Sequence, residues 1–120
     1  NHMDAVAILS NYLNEHVGER LAVTNLNQGM TAQNMKPTRG VLSQRFERDT
    51  MTLWISKHSI KTYLDEHHCN YLEIRDELMS RGIPTASDLK KTLGAGTEYS
   101  GGQVLCWRVR ADHPELAGVL

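Results

Sequence analysis

The chain has 120 residues, 40% of them hydrophobic and 22% charged, the profile of one ordinary globular domain. Thirteen basic against fourteen acidic residues give a formal charge of −1, which excludes a global pull toward nucleic acid and leaves any such binding to a local patch. No apolar run nears the roughly 20 residues that cross a bilayer and no signal peptide is visible, so the chain reads as cytoplasmic or nucleoid-associated.

Asn1, His2 and Met3 read as a cloning remnant left by tag removal, which makes the rest a piece of a longer protein. Residues 4–110 are then expected to form one domain, with a tail over 111–120. Asp4 is a good helix N-cap, and Ala5, Ile8, Leu9, Tyr12, Leu13 and His16 recur at helical spacing on one stripe, closed by Gly18. Residues 24–40 are rich in Asn, Gln, Thr and Gly, with Leu26, Met30 and Met35 the only large apolar side chains. They read as a long mobile loop.

Residues 41–47 and 52–55 are β-prone on either side of Arg48, Asp49 and Thr50, which predicts a hairpin with Leu42, Phe46, Leu53 and Ile55 pointing inward. Ser56 caps a second helix whose Ile60, Tyr63, Leu64 and His67 follow the 3.6 period. After His68 and Cys69, Asn70 opens a third helix that runs to Arg81 and closes at Gly82, and Pro84 forbids its continuation. Residues 89–93 and 103–110 then read as two strands around a glycine-rich loop, with Leu105, Trp107 and Val109 alternating against Cys106, Arg108 and Arg110. Leu89 and Leu93 suit one helical turn capped by Ser87 equally well. No internal repeat is read. The order of elements predicts an α+β fold, a winged helix-turn-helix with an N-terminal helix and an additional β-hairpin.

On the third helix, 100° per residue puts Tyr71, Leu72, Ile74, Leu78 and Met79 on one arc and Glu73, Asp76, Glu77 and Ser80 on the other. An acidic outer arc repels phosphates, so this helix is a poor reader of the major groove and a better protein-facing surface. Arg75 falls inside the apolar arc and is expected either to pair internally with Asp65 or Glu66 or to snorkel to the edge. Lys90, Lys91, Arg108 and Arg110 make the best basic patch if the two wing strands pair, and Lys57 and Lys61 add a second contact point one helical turn apart. The run Gly94-Ala95-Gly96-Thr97 lacks the context of a phosphate-binding loop.

Cys69 and Cys106 are too few for a disulfide framework and read as free thiols. Together with His58, His67, His68 and His113 they fit no zinc-ligand spacing, so no metal or cofactor is expected. Asp65-Glu66 and Asp76-Glu77 are sequential pairs that point apart on helices, and no catalytic motif is present. The chain is accordingly not read as an enzyme.

The stretch Arg45-Phe46-Glu47, Asp49-Thr50 and Leu53-Trp54-Ile55-Ser56, followed by the helix pair, Arg81-Gly82-Ile83 and Lys90-Lys91-Thr92-Leu93-Gly94-Ala95-Gly96-Thr97, resembles the C-terminal module of phage and mobile-element replication proteins. Those are helicase- or primase-type ATPases. The resemblance covers about residues 41–110 and implies a small non-catalytic domain, appended to a replication ATPase, that engages DNA or docks a replication protein. It carries over no catalytic residue, since the chain holds no Walker motif. Two functions are therefore expected as alternatives: weak, largely non-specific DNA binding through Lys57, Lys61, Lys90, Lys91, Arg108 and Arg110, or protein interaction through Glu73, Asp76 and Glu77.

Overall fold

Short-range capping chemistry starts each helix. The computed structural model describes residues 4–24, 42–95 and 102–120, and the backbone of 32–35. The Asp4 carboxylate accepts from the Val6 N–H at 2.9 Å and opens α1 (Ala5–Glu15). Ser56 caps α2 (Lys57–Glu66) by accepting from Ser59, and Asn70 caps α3 (Tyr71–Ser80) by accepting from Glu73 at 3.0 Å. Gly82 closes α3 with φ at +74°, a conformation that a side chain would strain.

Among the described residues, six strands form one mixed sheet: β1 (Arg20–Thr24), β2 (Ala32–Met35), β3 (Gln44–Glu47), β4 (Thr52–Ser56), β5 (Pro84–Lys91) and β6 (Val104–Arg110), in the spatial order β2-β1-β3-β4-β6-β5. Only β1 and β3 run parallel; every other neighbouring pair is antiparallel. The fold is thus α+β, with three helices and a mixed sheet. No helix among the described residues is long and apolar enough to cross a membrane.

Strand periodicity gives the sheet two unlike faces. Ala22, Phe46, Leu53, Ile55, Trp107 and Val109 share one face, where they pack against Ile8, Leu9 and Leu13 of α1, Ile60 and Leu64 of α2 and Leu78 of α3. Trp107 is fully buried and its indole N–H donates to the Tyr71 hydroxyl at 2.9 Å, which ties β6 to the start of α3. Leu116, in a short 3-10 turn (Pro114–Leu116), is buried in the same core, so residues beyond 110 belong to the packed unit.

Helices α1 and α2 end on the same pentapeptide pattern, Tyr12-Leu13-Asn14-Glu15-His16 and Tyr63-Leu64-Asp65-Glu66-His67. In each, the His Nδ1 lies within hydrogen-bonding distance of the Tyr carbonyl, at 3.2 and 2.8 Å, and the imidazole packs on that tyrosine ring at 4.5 and 4.1 Å. The two tyrosines meet edge-on at 5.3 Å. The Tyr63 hydroxyl donates to Glu15 at 2.6 Å, and the Tyr12 hydroxyl hydrogen-bonds Ser59 at 2.7 Å. This arrangement joins the two helix ends through one aromatic cluster. It also moves His16 and His67 from the core stripe to the helix ends, where His67 is exposed.

Other expectations need correction. The segment 24–40 contains a strand, β2, paired antiparallel with β1, and the rest of it, 25–31 and 36–40, lies outside the described residues. Hydrogen bonding to a neighbouring strand supplies what its weak apolar content does not. Residues 84–91 are one edge strand, which replaces the alternative of a helical turn after Ser87. On α3 only Tyr71 and Leu78 are buried, while Leu72 is 56% and Met79 38% exposed. The helix docks against β5 and α1 through a narrower stripe than its hydrophobic pattern implies.

Candidate nucleic-acid interface

The expected basic wing divides across the sheet. Lys91 sits opposite Val104 and Lys90 opposite Leu105, so adjacent lysines leave opposite faces of β5. Lys91, Arg108 and Arg110 belong to the face away from the helices, and Lys90 to the helix side. A gathering of all four into one surface is therefore corrected by the period of two that defines a strand.

Lys91 is further engaged in an internal network. Arg45 is 2% exposed and Glu47 7%, and the two form an ion pair at 2.8 Å. Arg45 Nη1 donates to the carbonyls of Leu93 and Ala95 at 2.9 and 2.7 Å, fastening the end of the wing to the middle of the sheet. Glu47 accepts from the Trp54 indole at 3.0 Å and pairs with the Lys91 ammonium at 3.2 Å. Lys91 also lies 4.8 Å from the centre of the Trp54 ring. Burial pushes the Glu47 carboxyl up, but the bonds from Arg45, Trp54 and Lys91 outweigh it and hold its pKa below the usual carboxylate range. Alternation in the sequence alone did not mark Arg45 and Glu47 as buried partners.

Arg108 and Arg110 remain outward. They lie two residues apart on β6, opposite Trp54 and Thr52 of β4, and both are exposed. Arg108 Nε donates to the Thr85 hydroxyl at 2.9 Å, and that hydroxyl donates to the Arg108 carbonyl at 3.2 Å. Arg110 Nε lies 3.5 Å from Asp112. The terminal guanidinium nitrogens of both have no hydrogen-bond partner among the described residues. Beside them is a cleft of about 160 Å³ lined by Thr50, Met51, Thr52, Thr85, Arg108, Val109, Arg110 and Asp112.

Lys57 and Lys61 assemble a separate cluster on the helix side. Their ammonium groups lie 6.0 and 5.9 Å from the Tyr71 ring centre, and the Arg75 guanidinium lies at 6.0 Å. Two of these three cations are neutralised locally, Lys57 by Asp88 at 2.6 Å and Arg75 by Asp76 at 2.9 Å. The hydrogen bond from Lys57 lowers the Asp88 pKa. Arg75 thus pairs with its exposed neighbour Asp76 and not with Asp65 or Glu66, because it lies at the edge of the helix stripe and reaches water.

The acidic arc of α3 is outward as expected, with Glu73, Asp76 and Glu77 all exposed. Its charge is partly cancelled: Arg75 binds Asp76, and Arg81 binds Glu77 at 3.0 Å and Glu115 at 2.9 Å. Cys69 and Cys106 are free, and burial pushes the Cys106 thiol up to about 11. No group of three His, Cys, Asp or Glu side chains suited to a metal converges among the described residues. Of the run Gly94 to Thr97, Gly96 and Thr97 lie outside the described residues.

Comparison with protein-family models, with curated proteins and with solved structures finds no match. The residues themselves carry the functional argument.

Proposed function

We propose that this chain is a non-catalytic DNA-binding domain of winged-helix type, an accessory to a replication-type protein, that holds phosphates through β6 and its neighbours with little reading of bases. The succession of α2, α3, β5 and β6 supports the winged-helix assignment. One observation carries the functional reading: Arg108 and Arg110 project side by side from the helix-free face, with their terminal nitrogens unpartnered among the described residues. Paired guanidinium forks are suited to phosphate oxygens. The acidic arc of α3 makes base recognition by that helix unfavourable, so affinity depends on salt more than on sequence.

Fluorescence anisotropy with short duplex and single-stranded oligonucleotides at two salt concentrations tests this. Neutralising two phosphate contacts in an R108Q/R110Q variant is expected to lower the slope of log affinity against log salt by about two. A K57Q/K61Q/K90Q variant alters the other face and is expected to leave that slope nearly unchanged. If the second variant loses binding and the first does not, the assignment of the face is wrong.

The rival reading makes α3 a docking surface for a basic protein partner through Glu73, Asp76 and Glu77. It is the weaker of the two because Arg75 and Arg81 already occupy Asp76 and Glu77. Substituting Glu73→Gln, Asp76→Asn and Glu77→Gln separates them: DNA binding stays level or strengthens under the first reading, and partner binding weakens under the second.

A further inference from the structure

We infer that the cleft beside Arg108 and Arg110 is a receptor for a phosphate monoester, the terminal phosphate of a strand rather than a phosphate within it. The inference rests on the DNA-binding reading for its biological setting but not for its chemistry. The walls of the cleft are fixed by the backbone. Ala111 N–H donates to the Met51 carbonyl at 2.9 Å, which holds the 48–51 turn against the end of β6. Arg110 N–H donates to the Ile83 carbonyl at 2.9 Å, which holds the approach to β5 on the other side.

Within these walls the donors have distinct duties. Thr85 accepts from Arg108 Nε and so orients that guanidinium. Asp112 steadies Arg110 at Nε from 3.5 Å. Each arrangement leaves the two terminal nitrogens of an arginine without a hydrogen-bond partner among the described residues. Thr50 donates to Thr52 at 3.0 Å, while the Thr52 hydroxyl has only a long contact of 3.4 Å to the Thr50 carbonyl, so its proton is the one most easily turned toward a ligand.

Residues two apart on a strand stand about 7 Å apart along it, a span that two long side chains close around one tetrahedral group. A monoester offers three terminal oxygens and up to two negative charges to this set. A diester inside a chain offers two such oxygens and one charge to the same donors. The number of donors around the cleft favours the monoester.

The test uses the whole chain, labelled for NMR, and three probes: inorganic phosphate, a short oligonucleotide with a terminal phosphate, and the same oligonucleotide with a terminal hydroxyl. Phosphate is expected to shift the amides of Thr50, Met51, Thr52, Thr85 and Ala111, and the terminal phosphate of the oligonucleotide to shift them more strongly as pH rises through about 6, where a monoester gains its second charge. The phosphorylated oligonucleotide is expected to bind about tenfold tighter than its hydroxyl counterpart, a difference reduced in Thr52→Val and abolished in R108Q/R110Q. Thr52→Val changes one hydroxyl of a half-buried residue and keeps its shape, which keeps the test informative if the double variant folds poorly. Phosphate shifts in the cleft without oligonucleotide binding would support this site while refuting the DNA reading. Equal binding of the two oligonucleotides, or no shift of the cleft amides with any probe, would overturn the inference.

Discussion

The Lys91 ammonium lies 4.8 Å from the centre of the Trp54 ring and 3.2 Å from the Glu47 carboxylate, so this lysine belongs to the sheet and not to its solvent. Glu47 is the common partner of Arg45, Trp54 and Lys91. Removing its charge leaves the Arg45 guanidinium buried against carbonyls alone. Glu47→Gln is expected to destabilise the fold by about 3 kcal/mol, read from urea denaturation at neutral pH.

The same carboxylate gives the protein an acid limit. Its pKa is held below the usual range in the folded chain, so its stabilising contribution is present above the unfolded value near 4.3 and is lost as pH falls through the lower folded value. Acid unfolding followed by circular dichroism should therefore be shallower in Glu47→Gln than in the parent. An unchanged profile would assign the acid limit to other carboxylates.

Trp107 and Tyr71 join the sheet to α3 by a single bond between an indole and a phenol. Trp107→Phe removes that donor and leaves a void in a fully buried site, with an expected cost of about 3 kcal/mol. Tyr71→Phe removes the bond but little volume, with an expected cost of about 1 kcal/mol. Chemical denaturation of both variants separates the packing contribution from the hydrogen bond.

The two thiols are expected to differ in reactivity. Burial raises the Cys106 thiol to about 11, offset in part by the charge of Lys91, whereas Cys69 is half-buried next to the α2–α3 turn. With the thiolate as the nucleophile, a neutral-pH alkylating reagent should modify Cys69 first and reach Cys106 only on unfolding. Peptide mass mapping over time reads the order directly.

Tyr63 responds to the opposite end of the pH scale. Burial first, then the bond and charge of Glu15, raise its pKa well above 10. Stability from this source is complete below the unfolded value of about 10 and is lost as pH climbs toward the folded one. Tyr63→Phe should cost about 1 kcal/mol at neutral pH and should flatten the alkaline limb of the denaturation curve.

Signals acting within a few residues were legible in the sequence. Asp4, Ser56 and Asn70 announced three helix starts, Gly82 a helix end, and the alternation around Trp107 a strand. What pairing over long range decides was not. Strand β1 has no turn signal linking it to its parallel neighbour β3, and β2 gains its place from backbone bonds that its polar side chains do not advertise. The candidate site was legible in part for the same reason. Arg108 and Arg110 share a face through their own spacing, but the burial of Arg45 and Glu47 depends on Leu93 and Ala95, nearly fifty residues away. The repeated Tyr-Leu-x-Glu-His endings were visible in the letters, and only their meeting in space gives them a role.

Strand β6 is the last strand among the described residues, yet it lies between β4 and β5. During synthesis β4 therefore emerges with the backbone edge that later pairs with β6 bare until residues 104–110 arrive to cover it. An unpaired edge of this kind is a template on which a second copy can build, so the nascent chain is most open to misassembly between the arrival of β4 and that of β6.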